Sequence, residues 1–355
     1  MKESLKRSFA SLGADGLVAL WLGVWWCANL IEAGCTELAN DEAYYHMFAQ
    51  RLAWGYFDHP PVTALLVWLG ERLFGGELGV RFFFTVLQPL YLWALWRLVR
   101  PADAVRRDAT LFVMLSASTL LLQLYGFIAV PDGPLLASSA VFLWTFRNFS
   151  EGRRLAWLWM GAAIALMAYS KYHGALVLLF ALAANPRLFA RPALYASGAV
   201  AAVLLVPHLV WQYHHDWASF VYHLSARNSV FRPGYVVEFL ANMLVVFNPF
   251  LVPIYVQAWR KTRPQSAVGR ALKLLPAAFI GFFLLSSLRG YVQPQWVIVS
   301  VFGLIYVAFA YVRRHPRTRR YAMAAGGATL LLVAAVRVEM IFNPLGLRFE
   351  VFDNS

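Results

Sequence analysis

LYASGAVAAVLLVPHLVWQY, residues 194–213, holds twenty residues with no Asp, Glu, Lys or Arg among them. Wound as a helix at 1.5 Å per residue, such a stretch is about 30 Å long, the thickness of the hydrocarbon core of a bilayer. Comparable apolar runs lie on either side of it, at about 14–34, 80–98, 109–129, 134–147, 155–170, 174–186, 236–258, 271–288, 294–312 and 322–340. They predict an all-α, polytopic integral membrane protein with about 11 transmembrane helices. Three consecutive runs, 134–147, 155–170 and 174–186, are short, and short helices are tolerated in a membrane where they line a polar cavity.

Composition supports the same class. Hydrophobic residues make up 60% of the chain and charged residues 14%, against about 25% charge in soluble domains. A water-soluble core of this size could not hide so much apolar surface. The net charge of +13 raises nucleic acid as a partner, but its distribution excludes that reading. The basic residues fall in short clusters between apolar runs, such as Arg97, Arg100, Arg106 and Arg107, or Arg313, Arg314, Arg317, Arg319 and Arg320. Cytoplasmic loops are marked in this way, whereas a nucleic-acid binder gathers its charge on one face. With the N-terminus inside, most of the 31 Lys and Arg residues fall on the inner side, and the C-terminus is placed outside. Cys27 and Cys35 are eight residues apart, about 12 Å along a helix and too far for a disulfide. Glu32-Ala33-Gly34-Cys35 is a poor lipoprotein cleavage site because Glu32 stands where an apolar residue is needed, so the first run is read as a retained helix.

This topology makes residues 35–79 a large outer loop. Val62 to Phe74 is apolar enough to lie in the membrane surface as an amphipathic helix, broken by Gly75-Gly76, and Trp54, Tyr56, Phe57 and Trp68 fit an interfacial aromatic belt. The chain reads as a single transmembrane domain over 1–355, without a separate soluble domain.

Four polar motifs fall on the predicted outer side. In Asp41-Glu42-Ala43-Tyr44-Tyr45, a carboxylate could take a proton from an attacking hydroxyl; equally, Asn40 or Asp41 would cap a helix. In Gly55-Tyr56-Phe57-Asp58-His59-Pro60-Pro61, two prolines fix the backbone around Asp58 and His59, which could bind phosphate or a divalent metal or simply lead into a helix. Pro131-Asp132-Gly133-Pro134 is a good turn, and its acid could also face a site. Ser170-Lys171-Tyr172-His173-Gly174 sets a lysine where a membrane makes charge costly, unless the side chain snorkels. Further along, the His214-His215-Asp216 run has metal-ligating side chains, and Arg227, Arg232 and Arg289 are outer cations for which anionic headgroups are the plain explanation.

Taken in order, these motifs resemble one family. DEAYYHMFAQRLAWGYFDHPPVTALL (41–66), PDGPLL (131–136) and SKYHG (170–174) are similar to the outer-loop motifs of bacterial GT-C glycosyltransferases, relatives of protein O-mannosyltransferases and of the lipid A aminoarabinose transferase. The resemblance is specific over about residues 38–175 and looser to about 300, and among these relatives the short rhizobial galacturonosyltransferases look most similar. It implies a membrane transferase that moves a sugar from a polyprenyl-phosphate donor to lipid A, lipopolysaccharide or another envelope glycan. Such an enzyme would sit in the bacterial inner membrane with its site facing the periplasm or exterior.

Residue by residue, the resemblance makes Asp41 the catalytic carboxylate and Asp132 the second acid, with Glu42 beside them. Asp58 matches a position that lies near a metal, with His214 a weaker candidate ligand. His59 stands where aminoarabinose transferases carry a lysine, and Tyr44 where they carry an arginine. Lys171, His59, Arg81, Arg227 and Arg289 are candidates for the donor phosphate, since charge builds on the leaving phosphate and cations must already be in place. Tyr44, Tyr45, His173 and Gln293 are candidate substrate contacts. No cofactor is required by this reading, and a divalent metal is compatible with it. A transporter or flippase of an amphiphile is the rival reading, although it would place its polar groups near the bilayer midplane rather than in outer loops.

Overall fold

Each of the eleven apolar runs contains helix in the computed structural model, which describes residues 12–225 and 232–346. Five helices are individually long and apolar enough to cross a bilayer: α1 (Ala14–Cys35), α4 (Gly76–Val99), α10 (Pro192–His214), α14 (Ala267–Ser287) and α16 (Pro316–Phe342). Between α1 and α4 lie two helices of the outer loop, α2 (Asn40–Ala49) and α3 (Val62–Glu71), so the amphipathic segment expected after Val62 is a helix. A Cβ on Gly70 would stand 2.1 Å from the Gly79 carbonyl oxygen; α3 therefore lies against α4 with backbone touching backbone. Gly76, with φ of 62°, makes the left-handed turn between them that a side chain would oppose.

Several runs that look continuous in sequence are broken. The 109–129 run is α5 (Arg106–Ala117) followed by the short α6 (Leu120–Leu124). At the break Ser116, Ser118 and Thr119 donate to the carbonyls four residues earlier, a local competitor of the helix ladder. The 236–258 run divides at Asn248 into α12 (Pro233–Val246) and α13 (Val252–Lys261), with Asn248 at φ 70°. The Asn248 amide donates to Ser118 O at 3.0 Å and Thr329 Oγ1 at 2.8 Å, so the two breaks support each other. The short runs hold α7 (Asp132–Ser150), α8 (Ala156–Ser170) and α9 (Gly174–Ala183); α11 (Ala218–Ser225) follows α10, and the 294–312 run opens as a 3-10 turn, Pro294–Val297, before α15 (Ser300–Val312).

Of the five long helices, α1, α10, α14 and α16 run the same way through the bundle and α4 runs back, so the loops sort to two ends. At one end Asp15 of α1 accepts from Trp96 Nε1 at 2.8 Å and pairs with Arg100 at 3.4 Å, and Arg313 pairs with Asp103 at 2.9 Å and Asp108 at 3.2 Å. The basic clusters gather here. The four polar motifs gather at the other end. Between the two ends lies the apolar core, where the rings of Trp96, Phe112 and Phe309 meet.

The polar end is fastened by a buried ion pair. Arg81 and Glu42 have no side-chain exposure. Arg81 Nε donates to Glu42 Oε1 at 2.7 Å and Nη2 to Oε2 at 2.5 Å, the two-point geometry that guanidinium and carboxylate favour. Its remaining donors reach Thr36 O at 2.8 Å, Thr36 Oγ1 at 2.9 Å and Glu37 O at 2.6 Å. Glu42 also accepts from Ala39 N at 2.9 Å and Ala129 N at 2.7 Å. Two expectations are corrected here. Glu42 is not free for proton transfer, because both oxygens are occupied and shielded. Arg81 is not available to a phosphate, because its fork is saturated by protein acceptors. The α2 helix starts after Ala39, so neither Asn40 nor Asp41 caps it; Glu42 reaches back to the cap position instead.

A second buried polar group lies deeper, where sequence reading expected only hydrocarbon. Arg337 of α16 pairs with Glu32 of α1 at 2.7 Å and donates to Asn29 Oδ1 at 2.8 Å and Gln123 Oε1 at 2.9 Å. Asn29 in turn donates to Gln88 Oε1 at 2.5 Å and Gly126 O at 3.1 Å. The last helix is thus hydrogen-bonded to the first helix and to the segment that leads to Asp132. The signal was present in sequence as two charges inside apolar runs, which a membrane retains only with a partner.

Removing one member of a buried pair while leaving the other costs about 3–5 kcal/mol. Arg81→Met is therefore expected to lower the thermal unfolding midpoint sharply in detergent, or to abolish folded yield. Arg81→Lys should rescue little, since an ammonium cannot reproduce the fork. Wild-type melting of Arg81→Lys would contradict this assignment.

Candidate active site

A cavity of about 910 Å³ opens at the polar end of the bundle. Residues from all four motifs line it, together with the 289–296 segment. Each motif is delivered by a helix boundary. Asp41 lies in the first turn of α2, Asp132 opens α7, and Lys171 ends α8 with an extended backbone before α9 begins at Gly174. Breaking the chain at these points exposes side chains to the cavity that an uninterrupted helix would turn toward lipid.

Lys171 and Asp132 form the central pair. Lys171 Nζ is 2.8 Å from both carboxylate oxygens of Asp132, and both side chains are buried. Lys171 is therefore held inward by a carboxylate rather than snorkelling to the interface. An ammonium has three donors, and Asp132 occupies two of them. Asp58 is engaged from three directions. Its carboxylate accepts from Tyr44 OH at 3.0 Å and lies 3.0 Å from His59 Nδ1, and its carbonyl lies 2.9 Å from His223 Nε2. Burial alone would raise its pKa, but the His59 hydrogen bond and charge, with the Tyr44 hydroxyl, outweigh it and hold the carboxyl below the ordinary value. Tyr45 OH lies 3.4 Å from His59 Nε2.

Asp41 differs from the other three carboxylates of the cavity wall. Glu42 is locked to Arg81, Asp58 to His59 and Tyr44, and Asp132 to Lys171. Among the described residues no hydrogen bond or ion pair engages the Asp41 side chain, which is exposed to the cavity. Its pKa is raised, first by loss of water and then by the Asp132 and Asp58 charges, while His59 and Lys171 pull the other way. A carboxylate that is open, unpaired and made more basic is suited to receive a proton.

The far wall is aromatic and amide-rich. His173 packs on Phe283 at 5.3 Å and Trp296 at 5.5 Å between ring centroids, and Trp296 Nε1 donates to Gln293 Oε1 at 2.9 Å. Arg289 lines this side, exposed and without a carboxylate partner among the described residues. Of the sequence candidates, Asp41, Asp132, Lys171, Asp58, His59, Tyr44, Tyr45, His173, Gln293 and Arg289 converge on the cavity. His214 does not: it is exposed at the end of α10, away from Asp58. Among the described residues no three His, Cys, Asp or Glu side chains form a metal-binding group. Arg227 lies outside the described residues. His223 also lines the cavity, as do Tyr125, Tyr222 and Tyr291, three tyrosines that sequence reading did not select. Tyr125 lies within what reads as an uninterrupted apolar run, and only the breaks beside it bring it to the site.

Residues 58–211, from Asp58 in the outer loop to Trp211 in α10, match the family model described as dolichyl-phosphate-mannose-protein mannosyltransferase. The lipid A galacturonosyltransferase RgtD of Rhizobium johnstonii is 25% identical over 335 residues, which cover 86% of this chain and 67% of that protein. Among solved structures, ArnT from Cupriavidus metallidurans in the apo state superposes with a TM-score of 0.70 at 17% identity, covering 95% of this chain and 66% of ArnT. The same protein bound to undecaprenyl phosphate gives 0.66 at 19% identity, covering 90% of this chain and 63% of ArnT. This chain thus spans about two thirds of the length of these relatives. The chain therefore has the all-helical GT-C fold of ArnT, and it is similar to the mannosyltransferase family over residues 58–211 and to RgtD over most of its length.

Proposed function

We propose that this protein transfers a sugar from a polyprenyl-phosphate donor to a lipid A or lipopolysaccharide-type acceptor at the outer face of the bacterial inner membrane. The observation that carries the proposal is the cavity's charge arrangement: three carboxylates are neutralised by protein partners and one, Asp41, is left open. In this reading the acceptor hydroxyl loses its proton to Asp41 as its oxygen attacks the anomeric carbon. The bond from that carbon to the phosphate oxygen breaks on the opposite side, and polyprenyl phosphate departs, so the configuration inverts. Arg289 and the third donor of Lys171 receive the phosphate. Asp132 holds Lys171 at the site, and Asp58 orients His59. The Trp296 and His173 rings, with Gln293, form the wall for the sugar. Support for the donor and acceptor classes comes from ArnT, solved with undecaprenyl phosphate, and from RgtD, a lipid A galacturonosyltransferase.

Asp41→Asn keeps size but cannot accept the proton, and loss of a general base costs about a hundred- to ten-thousand-fold in rate. Single-turnover transfer from a radiolabelled polyprenyl-phosphate sugar should fall by that factor while the lipid phosphate still binds. Because Asp41 must be ionised to act and its pKa is raised, the wild-type rate should rise with pH through a value above the ordinary aspartate pKa of about 3.9. Near-normal turnover of Asp41→Asn would remove the assignment.

The orientation is tested by labelling. In a background with Cys27 and Cys35 replaced, Trp54→Cys should react with a membrane-impermeant maleimide in spheroplasts, and Gln265→Cys should react only after lysis. The reverse pattern would put the cavity in the cytoplasm.

A further inference from the structure

Behind the cavity wall, outside it, four side chains form a continuous hydrogen-bonded chain. His208 Nδ1 lies 2.6 Å from Trp54 O, and His208 Nε2 lies 3.2 Å from Tyr172 OH. Gln212 Nε2 donates to Tyr172 OH at 3.1 Å and to Ser219 Oγ at 2.7 Å, and Ser219 donates to Tyr56 O at 2.7 Å. His208, Gln212 and Ser219 are buried. The carbonyls of Trp54 and Tyr56 are therefore each held by a side chain from the α10–α11 region. These two residues lead directly to Asp58 and His59. Tyr172 stands between Lys171 and His173, which both face the cavity.

The acceptors fix the directions. A carbonyl oxygen only accepts, so His208 Nδ1 carries the proton. In the neutral ring Nε2 is then the acceptor and Tyr172 the donor, which leaves the Tyr172 oxygen free to accept from Gln212. A single neutral tautomer satisfies every link. Gly55 is shaped for the same contact: a Cβ there would stand 2.5 Å from Trp211 Cε3 and 3.0 Å from His208 Nδ1, so only glycine lets the outer loop seat on α10.

We propose that His208 is a positioning residue that sets the distance between the two halves of the active site, the Asp58–His59 loop and the Lys171–Asp132 pair, by bridging Trp54 and Tyr172. This inference rests on the proposed transferase reading for its effect on rate, but not for its effect on structure. The two ring nitrogens can be removed separately. His208→Asn retains a donor near the Nδ1 position and loses the link to Tyr172. His208→Gln retains an acceptor near Nε2 and loses the link to Trp54.

The test is hydrogen-exchange mass spectrometry on the full-length protein in detergent, with the thermal midpoint and transfer kinetics measured on the same samples. His208→Gln should speed exchange in peptides covering residues 53–60 and leave 171–174 near wild type. His208→Asn and Tyr172→Phe should do the opposite, and combining these two should add nothing to either alone. Gly55→Ala should reproduce His208→Gln. The thermal midpoint should stay near wild type, and kcat should fall on the order of ten- to a hundred-fold, as expected for a misplaced reacting group, with little change in donor KM. Uniformly faster exchange with a lowered midpoint would show a merely structural role and overturn the proposal, as would unchanged exchange in both segments. If exchange responds as stated but the wild-type protein transfers no sugar, the bridge stands and the transferase reading falls.

Discussion

Arg81 carries a charge where its side chain has no contact with solvent, and it is tolerable there only because every donor on its fork finds an acceptor. Those acceptors come from three places: the end of α1, the linker that follows it and the start of α2. Glu42 closes the arrangement by accepting from Ala129 N as well, three residues before Asp132. The pair therefore fixes the backbone on both sides of the cavity at once. Asp41, next to Glu42 in the same helical turn, projects in a different direction because neighbouring side chains on a helix lie about 100° apart. One acid is spent on holding the wall, and its neighbour is thereby presented to the cavity without a hydrogen-bonding or ionic partner among the described residues.

The same logic separates scaffold from chemistry elsewhere in the molecule. The Glu32–Arg337 group lies among spanning helices, where a transporter would place its substrate groups. Its members are bonded to one another and to backbone carbonyls, and they tie α1, α16 and the Gln123–Gly126 segment together. The cavity, in contrast, is lined by an acid and a cation, Asp41 and Arg289, that have no ion-pair partner among the described residues. That division favours an enzyme over a carrier.

Much of this was legible in the sequence. Spans long enough to cross a bilayer carry their own signal, and α1, α4, α10, α14 and α16 lie within a few residues of the runs that predict them. The motif residues could be found because prolines, glycines and charges at helix boundaries are rare in a membrane chain without a reason. What sequence could not give was partner choice. Nothing in the local pattern tells that Glu42 rather than Asp41 takes Arg81, since the two acids are adjacent and the arginine is 39 residues away. Tyr125 was hidden for a related reason, and His208, although visible as a polar residue, gave no sign of its role. Each sits in an apolar run, and its role depends on where a helix breaks or which loop it meets. His214, chosen for its ligating chemistry, failed because residue type without convergence makes no site.

The account as a whole stands on the transfer of one sugar to an envelope glycolipid. The most direct measurement is mass spectrometry of lipid A and core oligosaccharide from otherwise identical cells that produce or lack this protein, with its presence in the membrane verified. The account predicts a species in the producing cells that is heavier by one sugar residue and absent from the others. Identical lipid A and core spectra from the two strains would contradict it.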